Sequence, residues 1–350
     1  MTIPRYKWQP TTAEIAAAAG IDSSEVVRFD HNTTPWPTEW AVELATAAAR
    51  SLNEYPGASY LGLRQAAAKR HGLEPEQIVP GAGADELILL AARAFLGPGK
   101  RSATMAPTYP LYNIACAQVG TELTTVKAEP PGFAAPVAGL VDAARDADVV
   151  WLCVPNNPTA VELSRDDVAA IVAATDGIVI IDAAYAEFTG ADWTEEVDRY
   201  SNLLVLRTMS KAFALAGARV GYAMGHPSLI DKFDGLRPPG SIATPSAILA
   251  EAALARVDRA EHAAAALGAA REELRSALAG LGFRVLPSRV NFLLCEVGPS
   301  AAETAAALRS RGLVVRTFPT ETGLGDYLRF TVRSPDQNQR LITTLKEVLP

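Results

Sequence analysis

The 350-residue chain has only three cysteines, Cys116, Cys153 and Cys295, set far apart with no CxxC or Cys/His ligand spacing. That excludes a disulfide framework and a zinc site and leaves three small buried hydrophobes. Basic charge is also in short supply. With 32 Lys and Arg against 39 Asp and Glu, the formal charge is −7 and the isoelectric point about 5.3. Such a chain has no field to attract a nucleic-acid backbone or an anionic membrane, so neither is expected as a partner. Any anionic ligand must be held by local groups. No apolar run approaches the ~20 residues that span a bilayer. The start, MTIPRYKWQPTTAEIAAAAG, shows no basic-then-apolar stretch with a cleavage site, so the expected location is the cytoplasm.

What is present is a substantial core: 49% of the residues are hydrophobic. The length suits one large domain or two unequal ones. Apolar runs of strand length alternate with helical stretches: VVWLCVP (Val149–Pro155), IVIID (Ile178–Asp182), NLLVLRT (Asn202–Thr208) and RVGYAMG (Arg219–Gly225). Continuous apolarity without alternation marks strands buried on both faces, hence a largely parallel sheet. In SRDDVAAIVAATDG, Ser164 caps a helix that should end near Gly177. Three prolines in GLRPPGSIATP (Gly235–Pro245) mark a boundary, followed by a long alanine-rich helical stretch from about Ser246 to Leu278. Beyond it, FRVLPSRVNFLLCEV, LVVRTFP and YLRFTVR read as short strands of a smaller α+β domain. The expected division is an amino-terminal arm at 1–29 packed on the small domain, a large α/β domain at 30–236, and the small domain at 237–350.

In parallel sheets, ligands gather at the carboxyl ends of the strands. Three of the runs end in polar groups: Pro155-Asn156-Asn157-Pro158, then Asp182 with Tyr185, then Thr208-Met209-Ser210-Lys211 with Arg219 eight residues on. A lone Asp there is usually a helix cap, and a lone Lys a solvated charge. An amide, a carboxylate, a phenol, a lysine and an arginine past neighbouring strands are a different matter. Pyridoxal phosphate needs that set: a lysine for the Schiff base, a carboxylate for the ring nitrogen, and hydroxyls, N–H groups and an arginine for the phosphate. GAGADE lacks the third glycine of a dinucleotide fingerprint, its place being taken by Glu86, and is a weak match to one.

The spacing from Asn157 through Asp182 and Tyr185 to Lys211 and Arg219 resembles that of fold-type I pyridoxal-phosphate aminotransferases, of class I/II. The local wording is similar to the histidinol-phosphate aminotransferase branch. The resemblance covers nearly the whole chain, through HNTTPWP, LNEYPGASYLGLRQAAAKRHG, PGAGADELILLAARAFLGPG, APTYPLY, CVPNNPTA, IDAAYAEF, TMSKAFALAGARVGY, LPSRVNFLL, VVRTF and YLRFTV. It implies an aspartate aminotransferase-like fold: a large domain with a mostly parallel sheet flanked by helices, plus the smaller α+β domain. It implies Lys211 as Schiff-base lysine and proton-transfer base, and Asp182 as the partner that keeps the ring nitrogen protonated. Tyr185 and Asn157 would bond the ring's 3′ oxygen, and Tyr109 would stack on its face. The phosphate would sit at the helix start Gly83-Ala84-Asp85, with Thr208, Ser210 and Arg219. Tyr55 would reach that phosphate from a partner subunit, which implies a homodimer.

By the same resemblance, Arg329 would be the main substrate anchor and Arg316 a supporting one, since guanidinium suits carboxylate and phosphate. Asn32 would lie at the substrate, and Asn291 reads as structural. The sequence departs from the usual wording at three places. Asn-Glu-Asn-Pro is Asn32-Thr33-Thr34-Pro35, the glycine of Asn-Pro-Thr-Gly is Ala160, and Asp-Glu-Ala-Tyr is Asp182-Ala183-Ala184-Tyr185. The expected reaction moves an amino group from histidinol phosphate to 2-oxoglutarate in two half-reactions. The same scaffold serves aromatic amino acids, and a threonine-phosphate decarboxylase-like lyase would use the same residues to break another bond at Cα. A non-enzymatic regulator would need a further module, which the ~30 residues before the first matched motif do not supply.

Overall fold

The computed structural model describes residues 3–6, 8–57 and 59–349. Its strands, in chain order, are β1 (Val27–Phe29), β2 (Ile78–Gly81), β3 (Arg101–Ala106), β4 (Glu122–Lys127), β5 (Val149–Cys153) and β6 (Ile178–Asp182). They continue with β7 (Leu203–Thr208), β8 (Gly221–Gly225), β9 (Arg284–Val285), β10 (Phe292–Glu296), β11 (Leu313–Val315) and β12 (Tyr327–Thr331). Seven form the main sheet, in the order β2-β8-β7-β6-β5-β3-β4. Strands β3 to β7 pair in parallel, as the unbroken apolar runs imply.

The side chains of that sheet sort by the two-residue period onto two faces. Val179 and Ile181 pack with the helices Leu61–His71, Val137–Ala144 and Arg165–Ala173. Ile180, Trp151, Leu204 and Leu206 pack with the helices Gly83–Phe95, Leu111–Gln118 and Pro227–Leu236. The same alternation turns Asp182 and Thr208 toward this second layer, so the polar strand ends inherit their direction from the apolar core beneath them.

Three expectations need correction. RVGYAMG does form a strand, but β8 runs antiparallel to β7 and β2. A parallel return needs a crossover of a dozen or more residues, usually a helix. Residues 209–220 are just long enough but form no α-helix, only the single 3-10 turn Ala216–Ala218. Ser164 caps its helix as expected, in a capping box with Asp167, but that helix ends at Ala173 rather than near Gly177. The alanine-rich stretch is two helices, Thr244–Leu254 and Val257–Gly280, broken at Arg256 (φ −127°, ψ 42°). The first sets Ala247, Ala250 and Leu254 into the main core, although it lies past the expected boundary at 236. The second sets Leu267, Ala270, Leu274 and Leu278 into a separate core. The second helix also starts on the main core, through Val257 and Ala260, before it reaches the separate one.

That separate core belongs to the carboxyl-terminal layer, where β12, β10 and β9 form an antiparallel sheet. Strand β1 of the amino-terminal arm joins it by pairing in parallel with β11. Residues 30–32, directly after β1, therefore pass between the two layers. No described helix is long and apolar enough to cross a membrane.

Ala160 stands where the usual wording has glycine, and its φ is +61°, in the left-handed region. The turn holds it there: its N–H donates to the Asn156 carbonyl at 2.7 Å, and Asn156 N–H donates to the Val161 carbonyl at 2.8 Å. That conformation costs an L-residue roughly 1–2 kcal/mol, against about 0.5–1 kcal/mol of added unfolded-state entropy for glycine. Ala160→Gly is therefore expected to raise the thermal midpoint or leave it unchanged. A fall in the midpoint would show that the buried methyl matters more than the backbone.

Candidate active site

The carboxyl ends of β3, β5, β6 and β7 lie at one edge of the sheet and deliver Tyr109, Asn157, Asp182 with Tyr185, and Lys211. Antiparallel β8 brings its start to the same edge, with Gly221 paired to both Thr208 and Gly81. Arg219 is thereby set beside the helix that opens at Gly83. A cavity of about 710 Å³ runs between the layers, lined by Tyr109, Asn157, Tyr185, Lys211, Arg316 and Arg329, among others.

Asp182 is 5% exposed, and two donors serve it. Tyr112 O–H donates to Oδ2 at 2.7 Å, and Ala184 N–H to Oδ1 at 3.2 Å. Burial pushes its pKa up to about 6, with the Tyr112 hydrogen bond opposing the rise. Tyr112 is fully buried and stacks on Trp151, centroids 5.4 Å apart and planes 11° from parallel. It was not among the expected site residues. Its signal was in APTYPLY, where it follows Tyr109 by three residues; Tyr109 precedes the helix that carries Tyr112, and the two rings meet edge-on with centroids 5.9 Å apart.

Lys211 reaches into the cavity. Its Nζ lies 5.6 Å from the centre of the Tyr185 ring and donates to the His31 carbonyl at 3.4 Å. Burial, first, and the charge of Arg329 bring its pKa down to about 8. An amine so placed is neutral for much of the time near pH 8, as a nucleophile or a proton acceptor must be. Arg329 is 6% exposed. Its guanidinium donates to Asn157 Oδ1 and, at 2.6 Å, to the Asp30 carbonyl, while its Nε has no partner. Burial, first, brings its pKa down to about 10. Arg316 pairs with it backbone to backbone, with N···O distances of 3.1 and 3.0 Å.

Thr208, Ser210, Arg219 and the helix start form a second, more open cluster. Arg219 donates to Ser210 Oγ at 3.3 Å and to Asp85 Oδ2 at 3.1 Å, and the Arg219 and Asp85 side chains are about half exposed (49% and 48%). Gly83 has φ +83°, and a Cβ there would lie 2.7 Å from Arg219 Nη2. Only glycine lets the guanidinium approach the first helical turn, whose N–H groups have no acceptor within the helix. An arginine, two hydroxyls and free N–H groups at the start of a 13-residue helix suit a phosphate. Tyr109 ties this cluster to the cavity by donating to Asp85 Oδ1 at 2.9 Å. A buried acid for a ring nitrogen, an amine, a phenol and an anion cradle fit pyridoxal 5′-phosphate.

Several of the expected residues make contacts that the sequence did not show. Asn157 Oδ1 is engaged by Arg329. Asn32, expected at the substrate, is 1% exposed, and its amide donates to Tyr185 Oη at 2.9 Å. Thr33 and Thr34 turn to Arg333, whose Nη1 donates to both of their carbonyls. Asn291 is structural, as read, and donates to the Asn32 carbonyl at 2.9 Å. Tyr55 is 97% exposed, away from this chain's own cavity.

Fold and site together define a pyridoxal-phosphate-dependent enzyme built like aspartate aminotransferase. The chain belongs to the aminotransferase class I and II family, whose model matches residues 23–345. It is 35% identical to the histidinol-phosphate aminotransferase of Roseiflexus castenholzii, with 95% of this chain and 92% of that one aligned. Among solved structures, the histidinol-phosphate aminotransferase of Sinorhizobium meliloti in complex with pyridoxal-5′-phosphate superposes with a TM-score of 0.88 at 25% identity. That match covers 98% of this chain and 95% of the other. A tetra mutant of Thermus thermophilus aspartate aminotransferase shares the fold, with a TM-score of 0.79 at 20% identity and coverage of 93% and 96%.

The raised pKa of Asp182 has a sign that can be tested. In the cofactor-free protein the folded state holds this proton to about pH 6, the unfolded state only to about 3.8. Stability therefore falls as pH rises between those values and stays lower above them. Asp182→Asn should stabilise the cofactor-free protein by on the order of 2 kcal/mol at pH 8 and by little at pH 4. It should also weaken cofactor binding. Denaturant titrations at both pH values check this, and a variant less stable than its parent at pH 8 would contradict it.

Proposed function

We propose that the protein transfers the amino group of histidinol phosphate, or a closely similar phosphorylated amine, to 2-oxoglutarate. The observation that carries this reading is the pair Arg329 and Arg316 at one end of the cavity. Arg329 has an unpartnered buried Nε, and no described residue bonds the Arg316 side chain. Both half-reactions present an anion, the donor's phosphate and the oxo acid's carboxylates, and guanidinium accepts either in a fork geometry. The names of the near-full-length relatives support the same donor.

The bound cofactor supplies an electron sink for the pair released at the substrate's Cα. Asp182 would hold a positive charge on the ring nitrogen. Thr208, Ser210, Arg219 and the N–H groups of Gly83, Ala84 and Asp85 would hold the phosphate. Tyr109 would stack on the ring, and Tyr185 and the Asn157 amide would bond the 3′ oxygen. Lys211 would carry the proton to and from Cα. A homodimer belongs to this reading: Tyr55 is bare, Leu52 and Leu61 nearby are exposed, and the phosphate cluster is half open. So does a cytoplasmic location. The arm at 1–29, large body at 30–236 and small body at 237–350 are proposed to flank the cleft, with the helix Thr244–Leu254 riding on the large body.

Titrating the cofactor-loaded protein with L-histidinol phosphate, without oxo acid, should bleach the visible band of the bound cofactor. A persistent band would rule out this donor, and release of carbon dioxide from a phosphorylated amino acid would favour the lyase. Arg329→Ala should weaken substrate binding by a few kcal/mol, roughly 2–5, since a buried anion would lose its partner. Unchanged affinity would remove Arg329 from the substrate site.

A further inference from the structure

The segment directly after β1 reaches three site residues by different atoms. The Asp30 carbonyl accepts from Arg329, the His31 carbonyl from Lys211, and the Asn32 amide donates to the Tyr185 hydroxyl. The first two are backbone contacts that any residue could make. The third depends on the side chain, and the position is unusual in two ways: Asn32 is buried, and its φ is +54°. Asparagine is among the few residues besides glycine that adopt this conformation readily.

The neighbours of Asn32 fix which way its amide faces. Asn32 N–H donates to Thr331 Oγ1 at 2.9 Å. With that lone pair occupied, the Thr331 hydroxyl proton needs an acceptor, and Asn32 Oδ1, 3.0 Å away, is the one it has among the described residues. The oxygen of the amide is thus on Thr331 and its NH₂ on Tyr185. The opposite amide orientation would leave the buried threonine proton unpaired, which costs about 1–3 kcal/mol. Asn291 completes the clamp by donating to the Asn32 carbonyl. Asn291 and Thr331 belong to the carboxyl-terminal layer, Tyr185 to the main sheet, and Asn32 joins them.

Tyr185 is equally constrained. Its ring meets Phe292 edge-on, 5.3 Å between centroids, and Lys211 Nζ lies over it. Asn32 supplies the hydrogen bond its oxygen accepts, and no described residue accepts the proton. We propose that Asn32 is a positioning residue: its amide, oriented by Thr331, occupies the Tyr185 oxygen and leaves the phenol proton directed at the 3′ oxygen of the cofactor. A hydrogen bond into a phenol oxygen also makes the phenol a stronger donor. The charged and titratable groups that act on this phenol are Arg329, which favours its ionisation as the Asn32 bond does, and Cys153 and Asp182, which oppose it, against the dominant effect of burial, which keeps it protonated. Lys211 faces it from the end of β7.

A donor on the 3′ oxygen favours the deprotonated form of the lysine-bound cofactor, so losing it should raise the pH midpoint of the visible absorption. Asn32→Gly removes the amide, tolerates positive φ, and keeps the backbone bonds to Thr331 and Asn291. It should raise the midpoint by roughly 0.5–1 pH unit, with a larger rise in Tyr185→Phe. The double variant should match Tyr185→Phe, because Asn32 acts through the hydroxyl that the second change removes. Thr331→Val, which frees the amide to rotate, should move the midpoint in the same direction by less, with Thr331→Ser restoring it. This pair serves if Asn32→Gly does not fold. An unmoved midpoint in Asn32→Gly, or an equal shift with and without the Tyr185 hydroxyl, would overturn the inference. So would an unmoved midpoint in Thr331→Val. No visible band in the parent protein supplied with cofactor would overturn the cofactor reading as well.

Discussion

Burial of the Asp182 carboxylate at the end of β6 is the constraint around which the rest is arranged. Strands β5, β6 and β7 are apolar on both faces because helices cover both, and the two-residue period then decides which layer each strand end faces. Asp182 follows Ile180 into the layer that holds Tyr112 and Trp151, where water is excluded. A carboxylate there carries a desolvation penalty that Tyr112 and one backbone N–H only partly offset. A cation delivered to Oδ1 or Oδ2 would relieve it, and a protonated ring nitrogen is such a cation. The site is thus unfavourable when empty in a way that favours its ligand.

Around that carboxylate the cationic groups are graded. Lys211 is brought down to about pH 8 by burial and by Arg329, so the amine that must react is the one most readily neutral. Arg329 stays charged, held by Asn157 and by the carbonyl of Asp30, whose own carboxylate is taken by Arg28 at 2.7–2.8 Å. Arg219 is left half exposed beside a helix start, suited to a doubly charged phosphate near solvent. One cleft therefore offers a neutral amine, a buried anion and two fixed cations at different depths.

The strands β5, β6 and β7, and the residues just past them, were legible in the sequence because each signal is local. An apolar run names a buried strand, and the residue after it names a site. Less legible was what depends on distant pairing. Nothing near RVGYAMG marks β8 as antiparallel, because the link before it is long enough for a crossover and only its lack of a helix decides the direction. The break at Arg256 is not marked either, because an alanine tract does not reveal where one helix stops and the next begins. The role of Tyr112 is not legible in APTYPLY, because its partner Asp182 is 70 residues away, at the end of β6. The contacts of Asn32, which lines the cavity, are not legible from its motif. Its partners Tyr185, Asn291 and Thr331 are 153, 259 and 299 residues away. The positive φ of Ala160 fits the glycine that the usual wording has there, since turn conformation is set within a few residues.

Lys211 is the lysine proposed to hold the cofactor, in the same cleft as the buried carboxylate of Asp182. The most direct test is borohydride reduction of the protein loaded with pyridoxal 5′-phosphate, followed by digestion and mass spectrometry of its lysine peptides. The account predicts one stoichiometric addition, on the peptide containing Lys211, and its loss in Lys211→Ala. Addition at another lysine, or none, would contradict it.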